Sequence, residues 1–175
     1  GSEHKLVVKI TSGTAVMSTD TVRIVIGMPV YTFFDTTNNP AQLWTITASP
    51  STPKWEATTG TYNTSPNSYA DSKDGNYLAN ATVTMTLTNQ LNLSGNPNPK
   101  LSFWTRYSIE SDWDAAFVKI STNNGSTWVN LAGRYTRGGS GQGKQTPAGT
   151  PLYDGTLTSW MQEEINLAPY EGQQI

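Results

Sequence analysis

The chain has 175 residues, of which 35% are hydrophobic and only 14% charged, with a formal net charge of −2. That is apolar material for one ordinary core, with no run long enough to span a membrane and no basic surface for nucleic acid. With no cysteine and one histidine, a thiolate nucleophile is excluded, as is a zinc site built on Cys or on several His.

A period of two runs through nearly the whole chain. Residues 5–11 (Lys-Leu-Val-Val-Lys-Ile-Thr) and 21–26 (Thr-Val-Arg-Ile-Val-Ile) read as strands, with Gly13 in their link and Gly27-Met28-Pro29 closing the pair. Two strands alone are marginal, so residues 1–29 are expected to be the tail of a preceding β-module. His4 lies here beside Gly1-Ser2, which reads as a cloning scar. A Ser-His-Asp triad needs a rigidly oriented imidazole, and a chain end supplies that poorly.

Residues 31–35 (Tyr-Thr-Phe-Phe-Asp) are expected to open a new strand. Residues 36–76 are rich in Thr, Asn, Ser and Pro, punctuated by Trp44, Trp55, Tyr62 and Tyr69. They read as a loop-rich stretch with short strands near 44–46 and 68–71. In residues 81–87, Val83, Met85 and Leu87 share one face and the threonines the other, which suits a half-buried strand with one wet side. The turn Asn96-Pro97-Asn98-Pro99 feeds a strand that sets Leu101, Phe103 and Tyr107 together. Ala116, Val118 and Ile120 alternate into a further strand. Asn124-Gly125 signals a tight hairpin, returning through residues 128–131. Residues 137–151 hold five glycines and two prolines and are expected to be a mobile loop. Residues 160–167 read as a strand with Met161, Ile165 and Leu167 on one face and Glu163 interrupting that row. Many short strands and no sustained helical spacing predict an all-β, antiparallel fold, a sandwich or a barrel. Low charge with many Thr, Asn, Trp and Tyr suits a protein secreted by, or held on the surface of, a bacterium.

Four features carry candidate chemistry. Residues 121–128 (Ser-Thr-Asn-Asn-Gly-Ser-Thr-Trp) resemble the Asp-box hairpin, a structural motif, with Asn123 at the usual aspartate position. Residues 71–77 (Asp-Ser-Lys-Asp-Gly-Asn-Tyr) pack Asp71 and Asp74 into a bent loop. Two readings stand side by side there: a calcium loop, to which Asp35 could add a carboxylate, and an Asx-rich turn bonding its own backbone. Glu110, Asp112 and Asp114 fall within five residues. A glycosidase pair would need two such acids facing each other across a sugar. Three on one short loop read first as solvent-facing groups or a second metal site. The six tryptophans offer either core packing or a glycan-stacking platform, with Trp104 and Trp113 the candidates because Trp104 falls opposite Leu101 and Phe103.

The ordered succession of residues 71–77, then Leu91-Asn92-Leu93-Ser94, Leu101-Ser102-Phe103-Trp104 and Asp112-Trp113-Asp114 through to Trp128 resembles a known accessory module. It is similar to the immune-inhibitor-A-like, MAM-like jelly-roll module of secreted bacterial metallopeptidases. Tyr153-Asp154-Gly155, Trp160 and residues 163–167 look most like the version carried behind zinc carboxypeptidase domains. The resemblance covers residues 31–175, and the first thirty residues look like the end of an Ig-like module. It implies a non-catalytic, galactose-binding-like sandwich over residues 30–175, stabilised by calcium on Asp71, Asp74 and Asp35. Its partner would be the catalytic peptidase domain of the same parent chain, with an extracellular glycan or protein as a further partner. The chain departs from the pattern in lacking the final strands. The carboxypeptidase signature, His-x-x-Glu with a later His, cannot be written with His4 alone, so any peptidase activity belongs to the parent.

Overall fold

The computed structural model describes residues 2–12, 15–26, 30–38 and 40–175, the first two stretches through their backbone pairing alone. The chain divides into two units, Gly1–Thr32 and Phe33–Ile175. In the first, β1 (Ser2–Ser12) and β2 (Ala15–Ile26) pair antiparallel from Ser2 opposite Ile26 up to Ser12 opposite Ala15, with an irregularity after Ile10. Both strands run further than the sequence pattern suggests. Gly13 and Gly27-Met28-Pro29, read as link and closure, lie outside the described residues.

The second unit is built from antiparallel strand pairs with almost no helix. A single helical turn, α1 (Pro40–Leu43), leads into β3 (Trp44–Ser49), which pairs with β6 (Thr82–Leu87). Between them, β4 (Glu56–Thr58) pairs with β5 (Ser68–Ala70). The alternation read in residues 81–87 is present: Val83, Met85 and Leu87 are half-buried while Thr82 and Thr84 are exposed. On that wet face the hydroxyls of Thr47 and Thr84 lie 2.5 Å apart across the ladder. A β-branched residue with a hydroxyl thus satisfies both the pleat and the solvent.

The longest pairing joins β7 (Lys100–Ile109) to β12 (Gly155–Asn166), from Lys100 opposite Asn166 to Ile109 opposite Gly155, with a bulge between Leu157 and Met161. Inside that span two two-residue pairs are nested: β8 (Lys119–Ile120) with β9 (Val129–Asn130), and β10 (Arg137–Gly138) with β11 (Pro151–Leu152), plus an isolated bridge from Ala116 to Tyr153. The core gathers Ile120, Leu131, Ile165 and Leu167, with Leu101, Phe103, Val118, Tyr170 and Ile175 packed against it. The expected apolar face of β7 therefore meets the expected face of β12. Among the described residues no helix is long and apolar enough to cross a membrane.

Three local expectations are corrected. Residues 33–36 are irregular, not a strand: the Asp35 Oδ1 accepts the Thr37 N–H at 2.6 Å, and Thr37 takes φ 63°. A side chain has captured the backbone that a ladder would have used. Asn124-Gly125 does adopt positive φ (56° and 79°), yet β8 and β9 are joined by residues 121–128, not by a two-residue turn. Residues 137–151 are not a loose loop. They begin and end in the β10–β11 pair, and Gln145 between them is fully buried. The glycines serve close approach: a methyl on Gly139 would meet the Gln145 carbonyl at 2.6 Å.

Candidate functional site

The acidic loop after β7 and the glycine-rich loop after β10 meet in one polar network. Asp112 has φ 63°, and this turns its backbone N–H onto Asp154 Oδ2 at 2.9 Å. Gln145 donates to the same oxygen and to the Asp114 carbonyl, both at 2.7 Å, while its own Oε1 accepts the Ser140 N–H at 3.0 Å. Ser140 Oγ donates to the Asp112 carbonyl at 2.7 Å. Arg137 bridges the two acids: a guanidinium nitrogen reaches Asp112 Oδ1, and Nε lies 2.7 Å from Asp154 Oδ1, an ion pair without hydrogen-bond alignment. The buried Asp154 carboxylate is thereby compensated from both sides, as a buried charge requires.

A second buried acid lies on β12. Glu163 has no exposed surface, and its oxygens accept N–H bonds from Arg134 at 2.6 Å, Tyr135 at 2.9 Å and Glu164 at 2.7 Å. Gly133 starts the turn that wraps it; a methyl there would lie 2.7 Å from the carboxyl carbon. Tyr153, bridged to Ala116, is buried beside Glu163 without the alignment of a hydrogen bond. Burial, then the Glu163 charge, pushes its phenol well above the ordinary tyrosine range. Tyr107 stacks edge-on to Tyr153 at 5.8 Å and is raised by burial, then by Asp154 and Glu163.

Seen from the candidates, the sequence reading is only partly gathered. Of the acidic triplet, Asp112 is held by Arg137, the Asp114 carbonyl is bonded to Gln145, and the Glu110 N–H donates to the Tyr77 hydroxyl at 3.0 Å. Two shallow clefts lie among the described residues. One of about 280 Å³ is lined by residues including Lys54, Glu56, Lys73 and Asp74, and one of about 90 Å³ by Phe33, Leu43, Leu87, Asn89 and Leu91. Neither of these two is lined by Glu110, Asp112 or Asp114.

Asp35, Asp71 and Asp74 do not come together: among the described residues no three His, Cys, Asp or Glu are grouped to hold a metal ion. Asp35 is committed elsewhere. Its Oδ2 accepts the Trp44 indole N–H at 2.6 Å and the Tyr69 hydroxyl at 2.9 Å. Trp44 packs edge-on between Phe33 at 5.9 Å and Tyr69 at 6.4 Å. Burial, then Asp35, raises the Tyr69 phenol. Three donors thus lie on its two oxygens. Asp71 and Asp74 remain on their loop, where the Gly75 N–H closes a turn onto the Ser72 carbonyl at 3.3 Å. Lys73 reaches Glu56 at 3.4 Å nearby.

The Asp-box-like loop carries the wiring its sequence implies. Ser121 Oγ accepts the Gly125 N–H at 2.8 Å, Asn123 Oδ1 accepts the Thr127 N–H at 2.9 Å, and Asn123 Nδ2 donates to Thr127 Oγ1 at 2.8 Å. None of the six tryptophans is fully buried. Trp104 is 46% exposed on β7, and Trp113 is 53% exposed, its ring against Gly143. The residues that sequence reasoning missed are Asp154, Glu163 and Gln145. Glu163 left one trace, an acid at an apolar parity position. No family model matches the chain, and neither the curated proteins nor the solved structures include a match.

Proposed function

We propose that the chain is a non-catalytic accessory module of a secreted bacterial metallopeptidase of the zinc carboxypeptidase type. On this reading residues 30–175 form a MAM-like jelly-roll sandwich following the end of an Ig-like module, and serve stability, docking or substrate attachment beside the catalytic domain. The observation that supports it most is how the acids are used. Asp112 and Asp154 are bridged by Arg137, and Glu163 is wrapped by backbone N–H groups. Carboxylates spent in this way hold loops together; they are not free to move protons at a substrate. The ordered motifs of residues 71–128 supply the family part of the reading. Calcium narrows to Asp71 and Asp74 with loop carbonyls, since Asp35 is engaged by Trp44 and Tyr69.

Two measurements test the reading. The purified chain is assayed against peptides with a free C-terminus and against aryl glycosides, and no saturable turnover is expected; turnover abolished by Asp112→Asn would overturn it. The reading frame that encodes the chain is sequenced outward, and a domain with His-x-x-Glu and a later His is expected on the same polypeptide. A frame without a peptidase domain removes the parent activity from the proposal.

A further inference from the structure

The outer face of the β7–β12 ribbon is a candidate ligand surface that the accessory-module reading does not need. Alternate residues of β7 point away from the core: Ser102, Trp104, Arg106 and Ser108 are exposed while Leu101, Phe103 and Tyr107 are not. Across the ladder, Gln162 stands opposite Trp104 and Glu164 opposite Ser102. An indole at the middle of a strand pair is therefore left with nearly half its surface in water. This is a costly place for the largest apolar side chain.

The groups around that ring are polar and already held. Gln162 Nε2 donates to Ser102 Oγ at 3.0 Å, Lys100 Nζ donates to Glu164 Oε1 at 2.7 Å, and the Arg106 guanidinium lies over the Trp160 ring at 5.7 Å. Each side chain is fixed by a neighbour on the facing strand, so little side-chain entropy remains to be lost on binding. Gln162 keeps its carbonyl oxygen and second amide hydrogen for another partner, and Arg106 keeps its edge donors.

This pattern selects among partners. A protein interface needs about 800 Å² on each side, with charge depleted at its centre. Here a single indole is hemmed on both strands by a hydroxyl, an amide and ions. A polyanion or an acidic membrane needs unpaired cations in number, yet Lys100 is spent on Glu164. What fits is a ring-sized ligand with one apolar face and an equatorial rim of hydroxyls. We infer that the Trp104 face of the β7–β12 ribbon binds a neutral glycan chain, one pyranose stacking on Trp104 while Gln162, Ser102 and Arg106 hydrogen-bond its hydroxyls.

The test is affinity electrophoresis and titration calorimetry of the whole chain. The soluble probes are a β-glucan, xylan, mannan and chitin oligosaccharides, run beside heparin and phosphatidylcholine–phosphatidylglycerol vesicles. At least one neutral glycan is expected to bind. Trp104→Ala should weaken that binding about tenfold or more, the loss of one ring stack, and Gln162→Ala several-fold. Trp104→Phe, which keeps a ring, should restore part of it, and Trp128→Ala should leave it unchanged. Thermal melts of each variant separate lost binding from lost fold. No binding to any neutral glycan, binding indifferent to Trp104→Ala, or binding to heparin or vesicles alone would overturn the inference. Each of those results would leave the accessory-module reading standing.

Discussion

Replacing Glu163 by alanine removes the acceptor for three backbone N–H groups at once. The Arg134, Tyr135 and Glu164 amides lie 2.6, 2.9 and 2.7 Å from its oxygens, and the side chain has no exposed surface through which water could replace it. These bonds are part-buried, so each orphaned donor costs about 1 kcal/mol, the low end for a buried group, and the loss is about 3 kcal/mol before any cavity term. For a chain of this size that lowers the melting midpoint by roughly 6–12 °C. Glu163→Gln keeps one oxygen, able to serve Arg134 and Glu164, but turns an amide toward the Tyr135 N–H; about half that loss is expected. Gly133→Ala reports on the same contact from the other side, because its methyl would press on the carboxyl carbon at 2.7 Å. Thermal and urea unfolding followed by near-UV circular dichroism measures all three. A Glu163→Ala variant within about 1 kcal/mol of the parent chain would refute the idea that this carboxylate organises the 133–135 turn.

Arg137→Met leaves Asp154 buried without its cation. A loss of about 2 kcal/mol is expected, below that of a fully enclosed pair because the guanidinium is half-exposed. The double variant with Asp154→Asn should recover part of it in urea unfolding, and purely additive losses would argue against the bridge. Tyr69, Tyr107 and Tyr153 all have phenols raised by burial and then by nearby acids. Their contribution to stability is complete below the unfolded value of about 10 and falls as pH rises beyond it, since the unfolded chain releases those protons first. Melting midpoints should therefore decline above pH 10, less steeply in Tyr153→Phe, and a profile flat to pH 11.5 would contradict this. Calcium at millimolar concentration, bound with a dissociation constant of about 0.1 mM, would add about 1.4 kcal/mol. The midpoint should then drop by roughly 3–6 °C on chelation, and Asp71→Asn should abolish that difference. Identical midpoints with calcium and with chelator would remove the metal from the proposed function.

Much of the strand content was legible because a pleated strand imposes a period of two on its own residues. Val83, Met85 and Leu87, and Leu101, Phe103 and Tyr107, declare their buried face without reference to anything distant. The positive φ of Asn124 and Gly125 and the bonds of Ser121 and Asn123 were readable for the same reason: donor and acceptor lie within four residues of each other. The candidate site was legible only in fragments. Asp35 looked like a free carboxylate until Trp44 and Tyr69, the latter 34 residues away, arrived as its donors. The glycine-rich stretch after Arg137 looked loose because its order comes from elsewhere: Gln145 is held by Asp114, 31 residues back, and Arg137 by Asp112, 25 residues back. Local conformational preference is written in neighbouring residues. Whether a buried acid is compensated is a property of which distant segments share its space, and folding alone decides that.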